Sequence, residues 1–128
     1  MSVLLDTHTL LWAILAPKAL SQKAASLIQD PNITLLISAA SAFEIATKVR
    51  KGKLPEAIEL EARFTDAIEE AGYSMLPINA STALRAARLA GDHRDPFDRL
   101  IAAHSIELDI PIISADRQLD LFGIRRIW

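Results

Sequence analysis

The sequence contains no cysteine. Disulfides, thiolate zinc sites and cysteine nucleophiles are thereby excluded, and a reducing cytoplasm is a compatible location. No apolar run approaches the roughly 18 residues of a membrane span, so no membrane partner is expected. The first residues carry no basic stretch, and Asp6 interrupts their apolar run, so no signal peptide is expected. Glycine is scarce, at 4 residues. Neither G-x-x-x-x-G-K-[ST] nor G-x-G-x-x-G occurs, which excludes the glycine-rich loops that cradle nucleotides. Net positive charge is also missing: 14 Lys and Arg against 16 Asp and Glu leave −2. A nucleic-acid ligand would therefore need a local basic patch. No repeat, low-complexity tract or linker divides the chain.

Hydrophobic residues are abundant, at 51% of 128 residues. That suffices for one core in a chain of ordinary domain size, and residues 1–128 read as a single domain. Strands are predicted over 2–6, 34–38, 74–78 and 111–114, with an edge strand over 125–128. Helices are predicted over 7–15, 21–29, 39–50, 56–71, 81–90 and 96–108. This alternation points to an α/β fold with a mainly parallel sheet. Ser21 reads as an N-cap, and Gly52, Gly72 and Gly91 read as helix stops. The helix from Ser81 puts Leu84, Ala87 and Ala90 near one face, with Arg85 and Arg88 beside it. That pattern suits either a subunit interface or a packed core.

Four carboxylates lie where the apolar strands run out: Asp6, Glu44, Asp98 and Asp116. In an open parallel sheet, ligands bind in the crevice beyond the carboxyl ends of the strands. Acids converging there would make a site for a hard cation such as Mg²⁺ or Mn²⁺, which prefer oxygen ligands. Without one, two such charges ~4 Å apart repel by roughly 4 kcal/mol at an effective dielectric of about 20. Each acid also has a plainer reading. Ser41-Ala-Phe-Glu44 matches the capping box S-x-x-E. Asp95-Pro96-Phe97-Asp98 reads as an N-cap with proline at N1 and an acid at N3. Asp6 and Asp116 could cap helices as well. Capping does not require the acids to meet, whereas a metal site does.

Other acid-based folds fit less well. A phosphoaspartyl hydrolase of the haloacid dehalogenase type needs Asp-x-Asp after its first strand, and here the third position is His8. A response-regulator receiver needs an aspartate ending its third strand, and neither Ser38 nor Met75-Leu76-Pro77 supplies one.

Taken together, several segments resemble the PIN-domain ribonucleases of the VapC toxin type. They are Leu4-Leu5-Asp6-Thr7-His8-Thr9-Leu10-Leu11-Trp12, Ser41-Ala-Phe-Glu44-Ile with the Lys48 to Leu54 stretch, His93-Arg94-Asp95-Pro96-Phe97-Asp98-Arg99-Leu100-Ile101-Ala102-Ala103, Ser114-Ala115-Asp116 and Arg125-Arg126-Ile127-Trp128. The resemblance runs the length of the chain in the right order. It implies an α/β/α sandwich around a four- or five-stranded parallel sheet. It also implies Mg²⁺- or Mn²⁺-dependent hydrolysis of RNA leaving 5′-phosphate and 3′-hydroxyl ends. Asp6, Glu44, Asp98 and Asp116 match the family's acidic quartet, both as metal ligands and as catalytic groups, with Asp95 an extra acid nearby. A homodimer and a VapB-like antitoxin are the partners it implies. The rivals are a PIN-fold nuclease of RNA processing and a catalytically silent, nucleic-acid-binding PIN-like module.

Around the quartet, Thr7 and Ser114 are either partners that orient the acids or simple caps. Lys48, Arg50, Lys51, Lys53, Arg94, Arg99 and Arg117 are the candidates for phosphate contact. His8 and His93 read as structural hydrogen-bonding groups ahead of acid–base groups, and Trp12 as a core or interface residue ahead of a base-stacking platform.

Overall fold

The computed structural model describes residues 1–128. Five parallel strands lie in the order β3-β2-β1-β4-β5. They are β1 (Ser2–Leu5), β2 (Thr34–Ser38), β3 (Ser74–Leu76), β4 (Ile112–Ile113) and β5 (Arg126–Ile127). Register follows the apolar runs: Leu4 is level with Leu36 and Ile112, and Leu5 with Ile37 and Ile113. Strand side chains alternate between faces, and this one alternation builds two cores. Val3, Leu5, Leu35, Ile37 and Ile113 face one helical layer, while Leu4 and Ile112 face the other. The architecture is the expected α/β/α sandwich, with the C-terminal residues pairing as an edge strand beside β4.

The first layer comprises α1 (Thr7–Leu15), α2 (Gln22–Gln29), α4 (Ile58–Ala62) and α5 (Phe64–Glu70), joined by one side of α3 (Ala39–Arg50). Leu10, Leu11, Ala24, Ile45, Leu60 and Ile68 are its buried contributions. The second layer is held by α7 (Pro96–Leu108), with α6 (Ala80–Arg88) packed upon it. Ile101 and Leu119 fill this smaller core.

Three expectations change. The single helix over 56–71 is instead a 3₁₀ turn at Pro55–Ala57 followed by α4 and α5, which break at Arg63. No proline or glycine marks that break, so tertiary packing overrides local propensity there. The helix expected over 39–50 forms as α3, but Ser41 is not its cap. The N-cap of α3 is Ser38, whose hydroxyl accepts from the Ala40 N–H at 3.0 Å. The capping box read at Ser41 to Glu44 is therefore absent, and both residues are buried inside the helix. On α6, Thr82 and Ala86 face inward and Leu84 is 50% exposed, so the Leu84 side does not pack into this chain's own core. The caps at Ser21 and Asp95 form as expected, and Gly52 and Gly72 follow their helices with positive φ.

One buried group lies apart from the acids. His104, in the middle of α7, is 4% exposed, and neither ring nitrogen has a hydrogen-bond partner. Burial holds its pKa below 6.5, and the nearby Pro77 carbonyl and Glu107 offset only part of that. The imidazole is thus kept neutral in the fold and gains a proton more readily once unfolded. Its contribution to stability is present above pH 6.5 and is lost as pH falls towards the depressed folded value. His104→Leu is expected to flatten this acid slope. It should also raise stability at neutral pH by about 1 kcal/mol, because an apolar side chain leaves no orphaned polar atom. Urea titrations of both proteins at several pH values check it; an unchanged slope would rule out His104 as its source.

Candidate active site

The topology brings four sequence positions to one end of the sheet. Asp6 directly follows β1 and Asp116 lies just past β4, the neighbouring strand. Glu44 lies in the second turn of α3, which leaves β2 on the other side of β1. Asp98 lies in the first turn of α7, the helix that runs back to β4. This is the crevice that an open parallel sheet offers at its switch in strand order.

Asp6 both caps and lines this crevice. One carboxylate oxygen accepts the Thr9 N–H at 2.8 Å and so starts α1. The other accepts a short hydrogen bond from the Ser114 hydroxyl. The same Ser114 oxygen accepts the Asp116 N–H at 2.9 Å. Ser114 therefore ties the ends of β1 and β4 together and fixes where both acids begin. Thr9 adds a second tie, donating its hydroxyl to the Ile113 carbonyl at 2.9 Å. Asp116 caps the following 3₁₀ turn by accepting the Gln118 N–H at 2.9 Å.

Glu44 and Asp98 are held by basic partners. Glu44 is 4% exposed, and its Oε2 lies 2.6 Å from the Lys48 Nζ one helical turn on. The i,i+4 spacing that makes this pair is visible in the sequence. Lys48 is thus engaged with an acid and does not stand free for phosphate. The Asp98 Oδ2 meets the His93 Nε2 at 2.9 Å. Asp95 accepts the N–H groups of Phe97 and Asp98, so it is a cap rather than a crevice acid.

Two contacts set the spacing between helices. The Thr7 and Ser41 hydroxyls meet at 3.0 Å, joining α1 to α3. The rings of Phe43 and Phe97, each immediately before an acid, have centroids 5.6 Å apart and join α3 to α7. Arg99, a phosphate candidate from sequence, is instead spent inside the chain. It donates to the carbonyls of Ala86 and His93 at 2.9 Å and also to that of Leu89. Arg50, Lys51, Lys53, Arg94 and Arg117 are exposed.

The electrostatics are unfavourable chiefly because two of the acids are buried. Burial raises the Asp6 carboxyl, although the Ser114 and Thr9 hydrogen bonds oppose it. Burial also pushes Asp98 up to about 6, with the Asp95 and Asp116 charges adding to the rise and the His93 hydrogen bond resisting it. No three acidic or imidazole side chains converge as a finished ligand set. Ser114, Lys48, His93 and the Gln118 N–H each hold one carboxylate oxygen of the set. The donor set still suits a hard dication: it is all oxygen and partly desolvated, and the Asp116 charge bears on Asp98.

The sequence reading missed one feature of the site. Asp6, His8, Trp12, Ala115 and Asp116 line a cavity of about 250 Å³. The His8 ring lies 5.8 Å from Trp12, and Trp12 lies 5.6 Å from Trp128. Trp12, read as core or interface ahead of a base-stacking platform, borders two of the acids. The signal was the i,i+4 spacing of the two rings directly after Asp6.

No helix is long and apolar enough to cross a membrane. Among known proteins, Ribonuclease VapC22 of Mycobacterium tuberculosis is 31% identical over 119 residues, covering 92% of this chain and 89% of that protein. Solved structures share the fold at lower identity. VapBC2 of Rickettsia felis, bound to a DNA fragment from its promoter, superposes with a TM-score of 0.70 at 18% identity, covering 99% of this chain and 98% of that one. VapC20 of M. tuberculosis, a sarcin-ricin loop cleaving toxin, gives 0.66 at 16% identity, with 95% of each chain covered. The PIN domain family matches residues 3–124, a span that begins in β1 with the approach to Asp6 and runs past Asp116. An acid-lined crevice at the strand ends and a sequence match over nearly the whole chain lead to one assignment: the chain belongs to the PIN domain family.

Proposed function

We propose that the chain is a VapC-type endoribonuclease toxin that hydrolyses RNA phosphodiesters with Mg²⁺ or Mn²⁺ and is neutralised by a VapB-like antitoxin. The observation that carries this reading is the placement of Asp6, Glu44, Asp98 and Asp116 at one end of the sheet in a chain related to a ribonuclease. A bare, partly buried set of carboxylates would repel an RNA phosphate, so a cation is needed between them.

Asp6, Glu44 and Asp98 would hold the ion, directly or through waters, and Asp116 would hold a second ion or orient the attacking water. Such an ion acidifies water and offsets charge on the phosphodiester when it is bound. The chain's own residues do the rest. Ser114 fixes Asp6 relative to Asp116. Lys48 and His93 hold Glu44 and Asp98 in place, and would yield those oxygens to a dication bound there. Arg94 and Arg117, both exposed and adjacent in sequence to acids of the set, supply phosphate contacts. The antitoxin and a second copy of this chain are the partners of this reading.

Purified protein incubated with total RNA is expected to give discrete fragments in Mg²⁺ or Mn²⁺ and none in EDTA. Mapped ends should carry 5′-phosphate. A folded protein that binds RNA but leaves it whole with every metal would favour the silent binding module.

A further inference from the structure

We propose that His8 and Trp12 form a nucleobase subsite, in which an unstacked base beside the scissile phosphate lies against the Trp12 indole. This inference rests on the RNA-cleaving reading and assigns part of its substrate contact. The local chain builds the subsite directly. Asp6 caps α1, so the helix begins at the acid itself. Positions 8 and 12 then fall one turn apart and share a face. Their rings lie 5.8 Å apart and tilted by 45°, an aromatic wall and not a stacked, self-satisfied pair. Both line the same cavity as Asp6 and Asp116, so wall and acids belong to one space of about 250 Å³.

Trp12 is also braced for the purpose. Trp128 packs against the main core, and its ring lies 5.6 Å from Trp12. Trp12 itself lies outside the set of side chains that fill that core. One side of the indole is thus supported from behind, and the rest borders the cavity. The chemistry of the cavity selects the occupant. Two carboxylates disfavour an anionic group against that wall, and a hydrocarbon side chain would offer nothing to the Asp116 oxygen that has no partner within the chain. A nucleobase is flat and uncharged and carries hydrogen-bonding edges, so it stacks on the indole and meets His8 and the acids at its rim. Because every base has a stacking face, the subsite sets where RNA lies more than which sequence is chosen.

The test uses the full chain with short homopolymeric single-stranded RNAs, in an Asp98→Asn background for binding and in the otherwise unaltered protein for cleavage. Trp12→Leu is expected to weaken RNA binding about tenfold, and Trp12→Phe to recover most of it. In cleavage, Trp12→Leu should raise KM with little change in kcat. In Trp128→Phe protein, Trp12 is the only tryptophan, and its fluorescence should be quenched by RNA but not by inorganic polyphosphate. Unchanged RNA binding by folded Trp12→Leu would overturn the proposal. So would equal quenching by polyphosphate, or a changed oligomeric state with RNA binding intact, which would make Trp12 a protein contact. If Trp12→Leu does not fold, the quenching comparison decides alone. Quenching by RNA without any cleavage would keep the subsite and defeat the ribonuclease reading. Cleavage indifferent to Trp12 would do the reverse.

Discussion

Asp98→Asn is expected to abolish RNA cleavage and, at neutral pH, to make the protein more heat-resistant. The two effects have one cause. The folded chain holds the Asp98 carboxyl at about 6 against an ordinary value of 3.8, because it is buried and faces Asp95 and Asp116. The folded state therefore binds this proton more tightly than the unfolded chain does. Stability from this group is greatest below pH 3.8 and falls as pH rises through about 6, so at neutral pH the ionised form is fully unfavourable. A shift of this size corresponds to roughly 3 kcal/mol, reduced to about 1–2 kcal/mol because the carboxyl keeps access to solvent. Asparagine removes the charge, keeps the shape and can still bond His93. A rise in Tm of about 3–8 °C is expected for a domain of this size. Activity should fall by about 10³ or more, since several kcal/mol of charge stabilisation at the phosphodiester goes with the ligand. Mn²⁺ should raise the Tm of the unaltered protein and leave that of Asp98→Asn where it is. Near pH 4 the Tm difference between the two proteins should shrink, because both then carry a neutral group. A variant less stable than the parent at neutral pH would show that Asp98 is a structural cap or pair and that the strain on the acids is not real. Asp6→Asn, in a more buried position whose carboxyl is raised by the same cause, should behave alike.

How much of this was legible in the sequence depends on the range of the interaction. Asp6 and Asp116 could be placed because the first directly follows an apolar strand and the second lies just past one, and strand periodicity is local. That β1 and β4 are neighbours was only a condition on the sequence reading, since parallel topology does not fix strand order, and the Ser114 bridge follows from that pairing. The range of α3 was read correctly as 39–50, and only its cap was obscured by a good competing pattern. Ser41-x-x-Glu44 satisfies the capping-box spacing, but a buried Ser41 is needed to meet Thr7 across α1, and Glu44 turns to Lys48 instead. The break at Arg63 has no local sign at all. Arg99 was misread for a related reason. An arginine near acids suggests phosphate, and only the three-dimensional path of 86–93 shows a ring of carbonyls waiting for it. That Trp12 borders two of the acids was not legible, because periodicity tells which residues share a face and not what that face borders.

The ring of carbonyls carries the last expectation, that Arg99→Ala destabilises the whole site and not only its own contact. α6 ends at Arg88 without a glycine cap, and Leu89 follows in extended backbone. The carbonyls of Ala86 and Leu89 at this end, and that of His93 five residues after Arg88, are gathered by one guanidinium. Its central carbon also lies 5.7 Å from the Phe122 ring centre, and the His93 ring meets Phe122 edge-on at 5.4 Å. Arg99 therefore fixes the loop that presents His93, and His93 in turn holds Asp98. Hydrogen bonds to a charged group are worth about 1.5–3 kcal/mol each and do not add fully, so a total loss of about 3–4 kcal/mol is expected. Tm should fall by roughly 10 °C or more. Lysine should not rescue it, because a single ammonium on a flexible stem cannot span carbonyls that a planar fork reaches in fixed directions. The measurement that separates this positioning role from plain stability is Mn²⁺ affinity at a temperature where Arg99→Lys remains folded. Positioning through His93 requires weaker Mn²⁺ binding there, by about 10–100-fold if Arg99 acts as an outer partner of the ligands. Undiminished Mn²⁺ binding in a folded but less stable variant would confine Arg99 to capping α6.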